Sequence, residues 1–273
     1  MRVILAGTFA FMPSCFAKFT MKNLFIAALL LILSGLTHAG LLDEIQVYTD
    51  DINTPGEWGL ELHINSTPRG LSKPTYTGEI MNNHGIRFTL EISYGITKTI
   101  EAGLYIPMVR GSDGNLYSAG SKLRLKWLPI QSSDGGVFGG VNLELSQVKP
   151  QFSQSAQSLE IRNIIGWKNS QWLIAANPIF GWDLSPGFTH HSPEFNLGLK
   201  ISRVISESVA LGLEYYNGRG RLNNTLTSSM QDKTVFLALD YEGRPFNFNF
   251  GVGKGFNSAS DTWTIKGIVD VPF

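Results

Sequence analysis

From Trp263 to Phe273 the chain keeps a two-residue repeat. Trp263, Ile265, Gly267, Val269, Val271 and Phe273 share one face, and Thr264, Lys266, Ile268, Asp270 and Pro272 share the other. A period of two belongs to a β-strand, whose successive side chains point to opposite faces. In water such a strand would present an apolar face and an unpaired edge, and both promote aggregation. In a closed transmembrane barrel, lipid covers the apolar face and the first strand covers the edge. The pattern therefore requires further strands of the same kind upstream.

They are present. Alternating apolar segments, separated by clusters of Gly, Asn, Ser, Pro and Asp, fall at 56–65, 86–94, 100–108, 121–128, 137–146, 159–167, 172–183, 195–202, 209–216, 234–241 and 246–253. The terminal run is the twelfth, and an even number suits a single-chain outer-membrane barrel. Connections alternate between tight turns, as at Gly95–Thr99 and Lys168–Gln171, and longer loops, as at Ser66–Gly85 and Asn217–Lys233. The spacing predicts an all-β fold, a transmembrane antiparallel up-and-down barrel of about twelve strands over 56–273. Trp58, Tyr94, Trp127, Trp167, Trp172, Tyr241, Phe246 and Phe273 fall at the short-turn ends, where a girdle of rings at one lipid–water boundary is expected. Pro178 and Pro107 each predict a bulge or kink, because proline cannot donate to the ladder.

The N-terminal residues read as a leader. A basic start at Met21-Lys22 precedes the apolar run Leu24–Leu33, and small residues lead to Ala39-Gly40. This is the pattern of a secretory signal peptide, with cleavage expected after Ala39. The apolar run is shorter than the roughly 20 residues of a spanning helix. Met21 is a better start than Met1, so residues 1–20 read as an over-extended start or a long basic region. Cys15, Arg2, Lys18 and Lys22 leave with residues 1–39. The mature chain then has no cysteine and carries 19 basic against 22 acidic residues. No disulfide can form, and that balance gives no reason to expect nucleic acid.

The inward faces carry charge of both signs. The lumen-lining candidates are the acids Glu61, Glu91, Glu101, Glu144, Glu160, Glu214 and Asp240, with Arg87, Lys122, Arg124, Lys126, Arg162, Lys200 and Lys266 as bases; Glu57 and Asp270 fall on the same faces. Matched charges on neighbouring strands read first as a solvated wall stabilised by cross-strand pairs. A transverse field that filters small solutes is the functional reading. The acidic stretch Leu41–Pro55 is assigned, within residues 40–55, as a periplasmic N-terminal segment. Its alternative is a plug folded against the basic stripe Lys122, Arg124 and Lys126.

Catalytic patterns are sparse. The histidines after the leader are His63, His84, His190 and His191. The His190/Ser192 pair resembles the His-x-Ser of outer-membrane phospholipase A, a twelve-stranded barrel, but the following Asn-Gly of that family is missing. A nucleophile needs a fixed base and an orienting partner. Adjacent His190 and His191 point apart on an extended loop, which disfavours a shared metal. Gly251-Val252-Gly253 is a strand end and not a phosphate loop. No cofactor, metal or catalytic residue is expected.

Several words of sequence carry a family resemblance: Asp43–Tyr48, Pro55–His63, Ile100–Pro107, Lys122–Pro129 and Ala210–Tyr216. They are similar to a proteobacterial group of outer-membrane barrels related to those named for the MetA pathway of phenol degradation, or simply as transporters. The resemblance covers essentially the whole mature chain and implies export, outer-membrane location and transport. It supplies no functional residues. The resulting expectation is a monomeric or weakly oligomeric barrel that passes small polar or amphipathic solutes, aromatic ones included. The alternatives are a lipid hydrolase built into the barrel and a plugged structural or surface barrel. Expected partners are outer-membrane lipids, the barrel insertion machinery and a small-molecule solute.

Overall fold

In a computed structural model, which describes residues 44–132 and 135–272, the chain folds into strands alone. In chain order they are β1 (Trp58–Arg69), β2 (Ile86–Thr97), β3 (Ile100–Arg110), the short β4 (Leu116–Ser118), β5 (Gly120–Ile130), β6 (Gly136–Val148) and β7 (Gln157–Lys168). Then come β8 (Trp172–Asp183), β9 (Glu194–Ser206), β10 (Val209–Arg221), the short β11 (Asn224–Thr225), β12 (Asp232–Tyr241), β13 (Asn247–Gly255) and β14 (Trp263–Pro272). Setting aside β4 and β11, which belong to loops, twelve strands pair antiparallel with their neighbours in the chain. β14 then pairs with β1 and closes the ring. The signal-peptide assignment over 1–39 and the terminal Phe273 lie outside the described residues.

Closure makes the two-residue period meaningful. Along β5, Leu123, Leu125 and Trp127 are exposed on the outer wall, whereas Arg124 and Lys126 are buried inside. On β14, Trp263 and Ile265 are exposed while Thr264, Lys266 and Ile268 are buried. An apolar outside over a charged inside is stable only where the outer surface meets acyl chains. Trp58, Trp127, Trp167, Trp172 and Phe246 stand exposed at the rim of short turns, with Tyr94 and Tyr241 half-buried beside them. Trp58 packs on Tyr94 at 4.8 Å between ring centres, and the Arg203 guanidinium caps the Trp172 ring at 5.5 Å.

Several strands run further at the long-loop rim than the alternation reaches. β10 extends through Arg221, and the stretch expected as a loop from Asn217 also holds the small β10–β11 hairpin. Beyond the lipid both faces are polar, so pairing continues where the period has faded. Pro107 sits at a one-residue step in register. β3 pairs as Tyr105↔Lys122 with β5 but as Met108↔Ser118 with β4, and Gly120 takes a φ of 138° at the join. Pro178 produces no such step: it lies opposite Leu197 in continuous register, and β7 keeps one register from Arg162↔Ile179 to Ile165↔Ala176. The Asn163 side-chain amide donates to the Pro178 carbonyl at 3.1 Å, which occupies an acceptor that the ladder would otherwise leave open.

Candidate functional site: the occupied lumen

The periplasmic lead-in expected for residues 40–55 is corrected over its described part. Residues 44–53 lie inside the barrel, the arrangement that the plug alternative described. The chain turns inward at the short-turn rim, where Gly56 N–H donates to Gly95 O at 2.8 Å and Gly95 N–H to Glu57 O at 3.0 Å. A side chain at Gly95 would collide with the Thr54 carbonyl, so only glycine lets the segment cross here. From there Asn53, Asp51, Tyr48, Gln46 and Ile45 meet the wall in turn, at Ser93 and Glu101, Lys126, Asn177, Arg162 and Lys266.

Three charged networks on the wall hold the segment. In the first, the Arg124 guanidinium pairs with Glu91 and lies 2.7 Å from Glu101. Glu101 also accepts from Asn53 N–H at 2.7 Å, and Lys126 donates to Asp51 O at 3.1 Å. In the second, Glu214 accepts from Lys266 at 2.5 Å and from the Tyr216 hydroxyl at 2.6 Å, while Lys200 bridges Glu214 and Asp240. Lys266 donates onward to Ile45 O at 3.0 Å. In the third, Arg162 lies 3.0 Å from Glu160 and 3.6 Å from Glu44, and donates to Gln46 O. Glu144, beside it, accepts from Asn142 at 2.8 Å.

Tyr48 sits where these networks converge. Arg162, Lys126 and Arg124 surround its ring, at 4.4, 5.0 and 5.9 Å from its centre, and its hydroxyl bonds that of Tyr105 at 2.6 Å. Cations over an electron-rich face are attracted more strongly where water is excluded. Its backbone is held as a strand partner would hold it: Tyr48 N–H donates to Asn177 Oδ1 at 2.6 Å, and Asn177 Nδ2 donates to Tyr48 O at 3.1 Å. Val47 and Tyr48 also pack on Phe138, Ile164 and Ala175, an apolar cluster inside the barrel. Gly166 opposite leaves the space that the Phe138 ring fills.

The wall expected to be solvated is thus, at mid-depth, covered by the segment. Glu91, Glu101, Arg124, Lys126, Glu144, Arg162, Glu214 and Lys266 are all buried, because the segment displaces the water that a bare lumen would hold. Arg87 is also buried, in a crevice near the long-loop rim beside Thr67 and Val109. Glu61, Lys122, Glu160, Lys200, Asp240 and Asp270 are half-buried, and Glu57 is exposed at the short-turn rim. The walls of opposite charge therefore face a polypeptide before they face one another.

His190 and Ser192 lie in the loop between β8 and β9. His191 is 3.2 Å from Asp183 through Nδ1, and Arg221 donates to the Ser192 carbonyl and to Asp183. Among the described residues no hydrogen bond joins His190 to Ser192, and the contacts formed there tie the loop to β10. Sequence reasoning missed Asn177 and Tyr48, which converge only once the barrel closes around the segment.

No family model matches the chain, and no curated protein matches it. Among solved structures, an outer membrane channel from Pseudomonas putida F1 superimposes with a TM-score of 0.55 at 10% identity, over 84% of this chain and 100% of that one. The KdgM porin superimposes with a TM-score of 0.52 at 12% identity, over 79% of this chain and 99% of that one. Likeness at this level of identity is likeness of fold: a closed twelve-stranded outer-membrane barrel.

Proposed function

We propose that this chain is a passive channel of the Gram-negative outer membrane for small polar or amphipathic solutes, and that residues 44–53 set its conductance. The observation that supports this is the way the segment is held: each of the three charged networks gives it at least one bond, mostly to backbone oxygens. Water or a polar solute offers such donors the same partners, so the segment can be exchanged without breaking the wall. The wall ladder itself, from β1 round to β14, is paired strand to strand with no partner drawn from the segment. The resemblance to barrels named for phenol degradation favours aromatic solutes, and cations like those around the Tyr48 ring would attract such a solute's electron-rich face. Export by the leader, assembly by the insertion machinery and a surrounding lipid belt belong to the same reading.

A specific observation favours a second reading, a permanently plugged barrel with a structural role. The cluster of Val47, Tyr48, Phe138, Ile164 and Ala175 is apolar and dry, and exchange with water would cost burial. Conductance in planar bilayers separates the two. The channel reading expects low or flickering conductance from the mature chain, and steady, larger conductance after deletion of residues 40–53. A deleted barrel that inserts, resists unfolding in detergent at room temperature and still passes no ions would refute it.

A further inference from the structure

Glu61 and His63 on β1 point inward, two residues apart, and Glu91 on β2 lies directly across from Glu61 in the ladder. Like charges facing each other on neighbouring strands destabilise a sheet unless a cation lies between them. Arg124 meets only part of that need: it holds Oε1 of Glu91 and then Glu101, while Oε2 of Glu61 makes no hydrogen bond. His63 is fully buried between the two acids, and neither of its ring nitrogens makes a hydrogen bond. Its Nε2 lies 3.4 Å from Glu61 Oε2 and 3.5 Å from Glu91 Oε2. One proton on Nε2 can serve one of these oxygens well, not both.

We propose that Glu61, His63 and Glu91 form a binding site for a borderline divalent metal ion, zinc foremost. Zinc binds imidazole nitrogen and carboxylate oxygen at about 2.0–2.1 Å in tetrahedral geometry, which separates neighbouring ligand atoms by about 3.3–3.4 Å. The two separations from Nε2 match that edge length, and the three candidate ligand atoms all lie within 4.8 Å of one another. Imidazole beside two carboxylates selects zinc and its transition-metal neighbours over calcium or magnesium, which prefer an all-oxygen shell. Arg124 orients Glu91 from behind, as outer partners of metal-bound carboxylates do. Three protein ligands leave a fourth position for a water or other small ligand, as in other three-ligand zinc sites. The ion would clamp β2 to β1, the strand that also pairs with β14 to close the ring. The proposal is independent of the channel reading, since it concerns the wall and not what passes along it.

The test uses the full mature barrel, without a histidine tag, loaded with zinc chloride and dialysed into metal-free buffer. One zinc is expected to remain per barrel, and cobalt in its place should give the visible absorption of a low-symmetry four- or five-coordinate ion. Glu61→Gln and His63→Gln should each weaken zinc by more than about 100-fold, exceeding the loss typical of an outer-partner change. Absence of retained zinc or cobalt in the wild type overturns the proposal and leaves a protonated histidine between the two acids. Equal retention in both variants also overturns it. If neither variant folds, X-ray absorption of the zinc-loaded wild type decides: one imidazole with carboxylate oxygens supports the site. Two imidazoles, or an all-oxygen shell, would place the metal elsewhere; either sinks the assignment.

Discussion

Replacing Asn177 by alanine should loosen the inserted segment while leaving the barrel closed. Asn177 is fully buried and serves both backbone groups of Tyr48, accepting at 2.6 Å and donating at 3.1 Å. Its loss strands one buried N–H and one buried C=O, each costing about 1–3 kcal/mol when unsatisfied. Water entering the vacated amide space recovers part of this, so a total of about 2–4 kcal/mol is expected. At a tenfold change per 1.4 kcal/mol, the withdrawn fraction should rise about 30- to 700-fold. The assay is maleimide labelling of Val47→Cys, in a chain expressed without residues 1–39 so that Cys15 is absent. Val47 is buried in the inserted state, and when reclosing outruns labelling the rate reports the open population. Asn163→Ala is the control, because Asn163 bonds the wall carbonyl of Pro178 and not the segment. Equal labelling rates in the Asn177→Ala and parent barrels, both folded, would show that the amide does not hold the segment.

Other outcomes follow from the same geometry. Arg124→Met should leave Glu91 and Glu101 buried without their shared cation, at a cost of about 3–5 kcal/mol read as a lower urea midpoint for the barrel in vesicles. Leu123→Arg adds the same kind of charge one residue along but on the outer wall, further from the Trp127 girdle, and should cost about 2–4 kcal/mol in that titration. In the loop between β3 and β4, hydrogen bonds from the Tyr117 hydroxyl and from Asn115 hold the Asp113 carboxyl below the usual range. A depressed folded value means the contribution is present above the unfolded value and is lost as pH falls through the folded one. Protection of the Asn115 amide, taken relative to its intrinsic exchange rate at each pH, should therefore persist through ordinary acid conditions and fall only below the normal carboxylate range, whereas Asp113→Asn should show no such step.

The wall was legible because its rule is local. Leu123, Leu125 and Trp127 against Lys122, Arg124 and Lys126 tell inside from outside within a single strand, and closure follows from repeating that pattern. The contents of the lumen were legible only as an alternative, a plug against the basic stripe, and its actual partners were not. Residues 44–53 have no strong period, and their backbone partners are side chains such as Asn177, Arg162 and Lys266, drawn from strands far apart in sequence. Nothing in their spacing marks them as a set until the ring has formed. His63 was hidden for a related reason: Glu61-x-His63 looks like ordinary wall, and Glu91 joins it only through the β1–β2 register. The extra length of β10 escaped because pairing outlasts amphipathicity once a strand leaves the lipid.

Every strand junction in this ring links chain neighbours except one. The meeting of β1 with β14 ties Leu60 to Val271 and Ile64 to Gly267, across some two hundred intervening residues. By its length alone, closing so long a flexible tether forfeits about 5 kcal/mol of chain entropy, against about 1–3 kcal/mol for the hairpin loops. A half-zipped sheet can therefore assemble hairpin by hairpin and still wait, curled and open along one side, for its last stitch. Whatever steadies Gly59 to Ser66 on β1 shortens that wait, and substitutions along this stretch should slow assembly more than equal damage anywhere else on the circumference.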